Sequence, residues 1–201
     1  MPKILVYMTK LIDFYFDFIS PYSYLAYNKL KSLNKDNEIN INYKPILLGG
    51  LHNLGGITAP AFNERKMKNM KNDCELIASK NNIIFKWNTK FPINSLYLMR
   101  GYLVIGNNLK NEYFEKCFDA YWKYDFNISN ESVVNEILKS CGIDKEKFLI
   151  DIQSEKTKEE LKKCTKDAFE KNIFGAPTFI VNDKIFWGQD RLDYALDEYN
   201  S

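Results

Sequence analysis

Leu11-Ile12-Asp13-Phe14-Tyr15-Phe16-Asp17-Phe18-Ile19-Ser20-Pro21-Tyr22-Ser23 is the stretch that decides the fold of this 201-residue chain. From Leu11 to Phe18 it alternates, with Ile12, Phe14, Phe16 and Phe18 on one side and Asp13, Tyr15 and Asp17 on the other. A period of two marks a strand, whose successive side chains point to opposite faces. The alternation stops at Ser20-Pro21. A serine hydroxyl caps the first free N–H groups of a helix, and proline is tolerated at the first helical position. Leu25, Ala26, Leu30 and Leu33 then recur at helical spacing as far as the polar joint Asn34-Lys35-Asp36-Asn37. Ile39, Ile41 and Tyr43 alternate again before Pro45. The result is a strand–helix–strand unit, which closes right-handed with its strands parallel.

Outward from that unit the character changes. Amphipathic stretches predict helices over about 64–81, 94–106, 111–124, 131–140, 145–152 and 155–171, so that the middle reads as wholly helical. Strand character returns at Thr178-Phe179-Ile180-Val181, turns at Asn182-Asp183, and runs back through Lys184-Ile185-Phe186-Trp187. Asn and Asp accept positive φ more readily than most residues, so the turn predicts a tight hairpin. A last helix is expected from Asp190 to Tyr199, with Leu192, Ala195 and Leu196 on one face. The expected fold is α/β: βαβ, a large all-helical insertion, then ββα. That is the thioredoxin-like order, with one discontinuous domain over 11–60 and 173–201 and an inserted helical domain over 61–172.

Composition narrows the function. Hydrophobic residues make up 45% and charged residues 27%, an ordinary balance for a globular protein. The net charge is only +2 and the lysines are scattered, whereas a nucleic-acid surface needs a concentrated basic stripe. Cys74, Cys117, Cys141 and Cys164 form no C-x-x-C pair, which excludes a redox pair or zinc knuckle and reads as buried free thiols. The single histidine, His52, excludes a His-based metal site. No apolar run reaches membrane-spanning length, and Ile4-Leu5-Val6-Tyr7-Met8 is too short for the core of a signal peptide. The expectation is a cytoplasmic protein with neither nucleic-acid nor membrane partners. Its 15% of aromatic residues serve either a core or an apolar wall for a flat ligand.

Three separated motifs carry a resemblance. Ser20-Pro21-Tyr22-Ser23 resembles the S-P-x-S of kappa-class glutathione transferases and 2-hydroxychromene-2-carboxylate isomerases, where the related DsbA proteins carry C-x-x-C. With serine at both positions, disulfide exchange at this site is excluded. Ile173-Phe174-Gly175-Ala176-Pro177-Thr178-Phe179 resembles the V-F-G-x-P-T-F of the same families, whose proline is usually cis. Phe186-Trp187-Gly188-Gln189-Asp190-Arg191-Leu192 resembles the isomerase W-G-x-D-R-L.

The resemblance implies glutathione as cofactor, a small aromatic substrate, and a homodimer. Ser20 would be the catalytic residue. The start of a helix favours anions, and the Ser20 hydroxyl would hold the glutathione sulfur as thiolate without itself becoming the nucleophile. Ala176, Pro177, Trp187 and Gly188 would contact the tripeptide, and Gln189 and Asp190 would hold its γ-glutamyl end. The plain alternatives are a helix cap at Ser20, a strand-entry proline at Pro177 and a cap at Asp190.

Between these ends, Pro45-Ile46-Leu47-Leu48-Gly49-Gly50-Leu51 resembles the stretch that leads into the family's inserted domain. Ile57 stands where many relatives carry asparagine, a contact that Asn53 or Asn63 would replace. His52, near a lysine position of some isomerases, is either a lone loop histidine or a cation or proton donor facing an aromatic carboxylate. Phe91-Pro92-Ile93-Asn94 resembles an F-P-x-N joint in which Asn94 reaches substrate, or caps the helix that follows. His52, Asn63 and Asn94 are thus the substrate-binding candidates. The leading expectation is a glutathione-dependent isomerase of 2-hydroxychromene-2-carboxylate-like compounds. A transferase that conjugates electrophiles is the second, and a redox-inactive, peptide-binding module the third.

Overall fold

The computed structural model describes residues 10–34, 36 and 38–201; the apolar run 4–8 and Lys35 and Asn37 of the polar joint lie outside them. The strands are β1 (Ile12–Phe16), β2 (Ile41–Pro45), β3 (Thr178–Val181) and β4 (Lys184–Trp187), in the sheet order β2-β1-β3-β4. β2 runs parallel to β1, and β3 and β4 are antiparallel to their neighbours. Helix α1 (Pro21–Leu33) follows β1. The middle of the chain forms α2 (Leu48–Leu54), α3 (Glu64–Lys80), α4 (Leu96–Val104), α5 (Asn107–Trp122), α6 (Glu131–Ser140), α7 (Lys145–Gln153) and α8 (Glu155–Glu170). Helix α9 (Leu192–Asn200) ends the chain. This is the expected α/β order, with the hairpin turn at Asn182 and Asp183, both at positive φ.

Several boundaries differ from expectation, each for a local reason. β1 ends at Phe16, two residues early, because Ser20 N–H bonds back to the Asp17 carbonyl at 3.0 Å and turns the chain. Helix α2 was hidden by Gly49-Gly50, since glycine is a poor helix former. Its start is held from outside: Thr165 Oγ1 accepts from Leu47 N–H, and Asp17 accepts from Leu48 N–H. The middle is not wholly helical either. Residues 81–95 form a long irregular connection that contains a cis Phe91–Pro92 bond, and Asn88 anchors it by donating to the carbonyls of Tyr121 and Phe126. The last helix begins with a 3-10 turn over Gln189–Arg191.

One face of the sheet carries Ile12, Phe14 and Phe16, all fully buried. Phe16 packs on Phe114 with ring centroids 4.6 Å apart, and Phe14 on its strand neighbour Phe179 at 4.8 Å. Most of the aromatic residues therefore build the core, with Trp122, Tyr113 and Phe118 buried behind them. The opposite face presents Tyr15, which packs with Ile46, Leu51, Ala168 and Ile173 under α2 and α8. Cys74, Cys117 and Cys141 are buried free thiols, and burial pushes the ionisation of each upward; Cys164 is half-buried. Among the described residues, no helix is long and apolar enough to cross a membrane.

Candidate functional site

The β1–α1 turn delivers Ser20 to the start of a 13-residue helix whose first residue is Pro21. Ser20 is 3% exposed and its hydroxyl is used twice. It accepts from Ser23 N–H at 3.1 Å, which makes it the helix cap, and it donates to the Ala176 carbonyl at 2.9 Å. That second bond joins the two ends of the chain. Ser23 is fully buried, and its hydroxyl has no partner among the described residues.

The Ala176–Pro177 peptide bond is cis. Thr178 Oγ1 donates to the Gly175 carbonyl at 2.7 Å, and Gly188 N–H donates to the Pro177 carbonyl at 2.9 Å. Ala176 is half-buried, and its own N–H donates to no group among the described residues. A backbone N–H left free beside a carbonyl with a spare lone pair is ready to pair with an extended peptide.

Trp187 closes the other side of this turn. Its indole lies on the Gly175 backbone so closely that a Cβ there would come within 2.6 Å of Nε1, and Phe174 packs on it at 4.7 Å. Gly188 sits at φ +104, a conformation open to glycine alone in practice, and it leads into the 3-10 turn. That turn packs against α1. Asp190, which is exposed, pairs with Arg191 at 2.9 Å.

The substrate candidates are not joined to this group by any hydrogen bond. His52 is half-buried on α2, and burial lowers its pKa, which keeps the ring neutral and opposes the role of a cation. Asn63 caps α3 by accepting from Lys66 N–H, and Asn94 accepts from Leu96 N–H at the start of α4. Both side-chain oxygens are occupied in capping, while each amide keeps its donors. Ile57 is 38% exposed and lies under Gly55. The helical segment holds a groove of about 560 Å³ between α5 and α6, but Glu112, Glu115, Asp119 and Glu136 line it, so it does not suit a carboxylate substrate. Among the described residues, no group of three His, Cys, Asp or Glu side chains is placed to hold a metal ion.

Asp17, on the side of the alternation opposite Phe16, is fully buried, and burial pushes its carboxyl pKa up. One local signal was available: an acidic residue directly before a turn often accepts from the backbone there.

The family model for the DSBA-like thioredoxin domain matches residues 11–200. A 2-hydroxychromene-2-carboxylate isomerase of Sphingobium xenophagum is 31% identical, covering 96% of this chain and 98% of its own. Glutathione S-transferase kappa 1 of Caenorhabditis elegans is 26% identical over 92% of this chain and 89% of its own. A solved 2-hydroxychromene-2-carboxylate isomerase superposes with a TM-score of 0.87 at 27% identity, covering 94% of both chains. The chain belongs to the DsbA-like thioredoxin family, in the group formed by the 2-hydroxychromene-2-carboxylate isomerases and the kappa-class glutathione transferases.

Proposed function

We propose that this protein is a glutathione-dependent isomerase of a small aromatic compound resembling 2-hydroxychromene-2-carboxylate. The observation that carries this reading is the contact between Ser20 and Ala176, which puts a hydroxyl donor at a helix start beside a free backbone ladder position. Bound glutathione would supply a thiolate that adds reversibly to a conjugated carbon of the substrate, so that a double bond gains single-bond character and rotates before the sulfur leaves.

The chain's own part is positioning and charge. The N–H and C=O of Ala176 pair with the cysteinyl backbone, and Gln189 and Asp190 face the γ-glutamyl end. The Ser20 hydroxyl has a single proton, which it donates to the Ala176 carbonyl when no ligand is present. When the peptide takes over that carbonyl, the hydroxyl turns to the sulfur and stabilises its anion, aided by the helix start. The substrate lies toward the helical segment, near Asn63 and Asn94, and His52 acts there as a neutral donor.

Similarity to the kappa transferases supports a second reading, conjugation of electrophiles through the same activated thiol. Product analysis separates the two, because isomerisation returns glutathione unchanged. Melting curves with glutathione, its S-methyl form and ophthalmate, which lacks the thiol, test the binding itself. Glutathione should stabilise the fold by mass action. No shift and no calorimetric binding would leave a peptide-binding module as the better account.

A further inference from the structure

The turn that carries Ser20 is tied to the start of α2 through the side chain of Asp17. Asp17 Oδ1 accepts from Ile19 N–H at 3.1 Å, within the turn. Asp17 Oδ2 accepts from Leu48 N–H at 2.8 Å, at the first residue of α2. The buried Ser95 hydroxyl, at the start of α4, lies close enough to the same carboxylate to favour its charged form. Leu47 provides no side-chain cap for its own helix, and Asp17 supplies the acceptor there instead. The backbone of the turn is anchored in the same direction: Phe18 N–H points to Met99 Sδ at 3.5 Å, and Trp122 Nε1 donates to the Phe18 carbonyl at 2.9 Å. Ser20 N–H in turn bonds the Asp17 carbonyl at 3.0 Å.

A carboxyl group with no exposure is costly to bury unless donors converge on it, and here one N–H comes from its own turn and one from the start of α2. We propose that Asp17 is a positioning residue: by holding the N–H groups of Ile19 and Leu48 together it fixes the direction of the Ser20 hydroxyl. The seat of α2 thereby sets the donor at the start of α1. This deepens the proposed function and rests on it only where activity is measured. Asparagine in place of Asp17 keeps the shape but turns one acceptor into a donor, which then meets the N–H of either Ile19 or Leu48 head on.

Amide hydrogen exchange on Asp17→Asn reads the effect without any ligand. Protection at Ser23, whose N–H rests on the Ser20 hydroxyl, should fall about tenfold, with a similar fall at Leu48, while the amides of β3 keep theirs. Unchanged protection at Ser23 in the folded variant would overturn the proposal. If Asp17→Asn does not fold, Ser95→Ala removes the hydroxyl beside the carboxylate with little change in volume, and it must show the same loss at Ser23 in smaller degree. Activity supplies a readout that simple loosening would not give. With glutathione present, Asp17→Asn should lower kcat about tenfold with little change in KM, yet add little in a Ser20→Ala background. Equal losses in both backgrounds would show that Asp17 does not act through Ser20. Absence of any glutathione-dependent turnover in the wild type would sink the proposed function and leave the exchange at Ser23 to decide this one.

Discussion

The hydroxyl of Ser20 donates to the carbonyl of Ala176 across 2.9 Å, a bond between residues 156 positions apart. It connects the start of α1 to the cis turn that enters β3, and it makes one serine both a helix cap and a clamp between the chain's two ends.

Ser20→Ala removes both roles. Loss of the cap should cost about 1 kcal/mol, visible as a lower urea midpoint with unchanged slope. If the hydroxyl also holds a thiolate, the bound thiol should titrate one to two pH units higher, on the order of the 1.5–3 kcal/mol that a hydrogen bond to a charged group provides. The thiolate absorbance, followed against pH in wild type and variant, separates the effects. An unchanged titration with full turnover would reduce Ser20 to a cap.

Gly188→Ala should destabilise the protein by about 1–3 kcal/mol, because φ +104 is strained for any residue with a Cβ. The added carbon would also lie 2.5 Å from Asp190 Oδ1 and push that side chain aside. Glutathione affinity, measured by calorimetry, should therefore fall as well. Normal affinity in this variant would remove Asp190 from the site.

His52 is the chain's one histidine, so its imidazole proton signal needs no assignment. Burial lowers its pKa, and the titration midpoint should lie below 6.5. The corresponding stability is present above pH 6.5 and is lost as pH falls below it, since the unfolded ring binds a proton more readily. A midpoint above 6.5 would restore the cationic role.

Asp17 gives the opposite dependence. Burial raises its pKa above 3.8, so between that value and the folded pKa the folded state holds a proton that the unfolded state has released. Stability relative to Asp17→Asn, which cannot titrate there, should therefore decline as pH rises from about 4 and level off above the folded pKa. Tyr121 lies near enough to share this field. Urea midpoints at a series of pH values check it. A difference that grows with pH would mean that the donors around the carboxylate outweigh burial.

Local pattern determined the elements. The alternation through Phe16, the Ser20-Pro21 stop, the helical spacing of the middle segments and the Asn182-Asp183 turn each depend on residues near one another in sequence. The three motifs also marked the Ser20 cap, the turn at Ala176-Pro177 and the positive φ of Gly188, because these are local demands. What sequence could not supply was which distant groups would meet. Periodicity put Asp17 on the side of the strand opposite Phe16, and only the early end of β1 turned it inward to receive Leu48 N–H. Helix α2 likewise depends on acceptors from the β1–α1 turn and from α8, and the aromatic residues became core because helices α4 and α5 close over the sheet. Such contacts are decided by packing, since a buried carboxyl or an uncapped helix start is stable only where partners from elsewhere in the chain arrive to satisfy it.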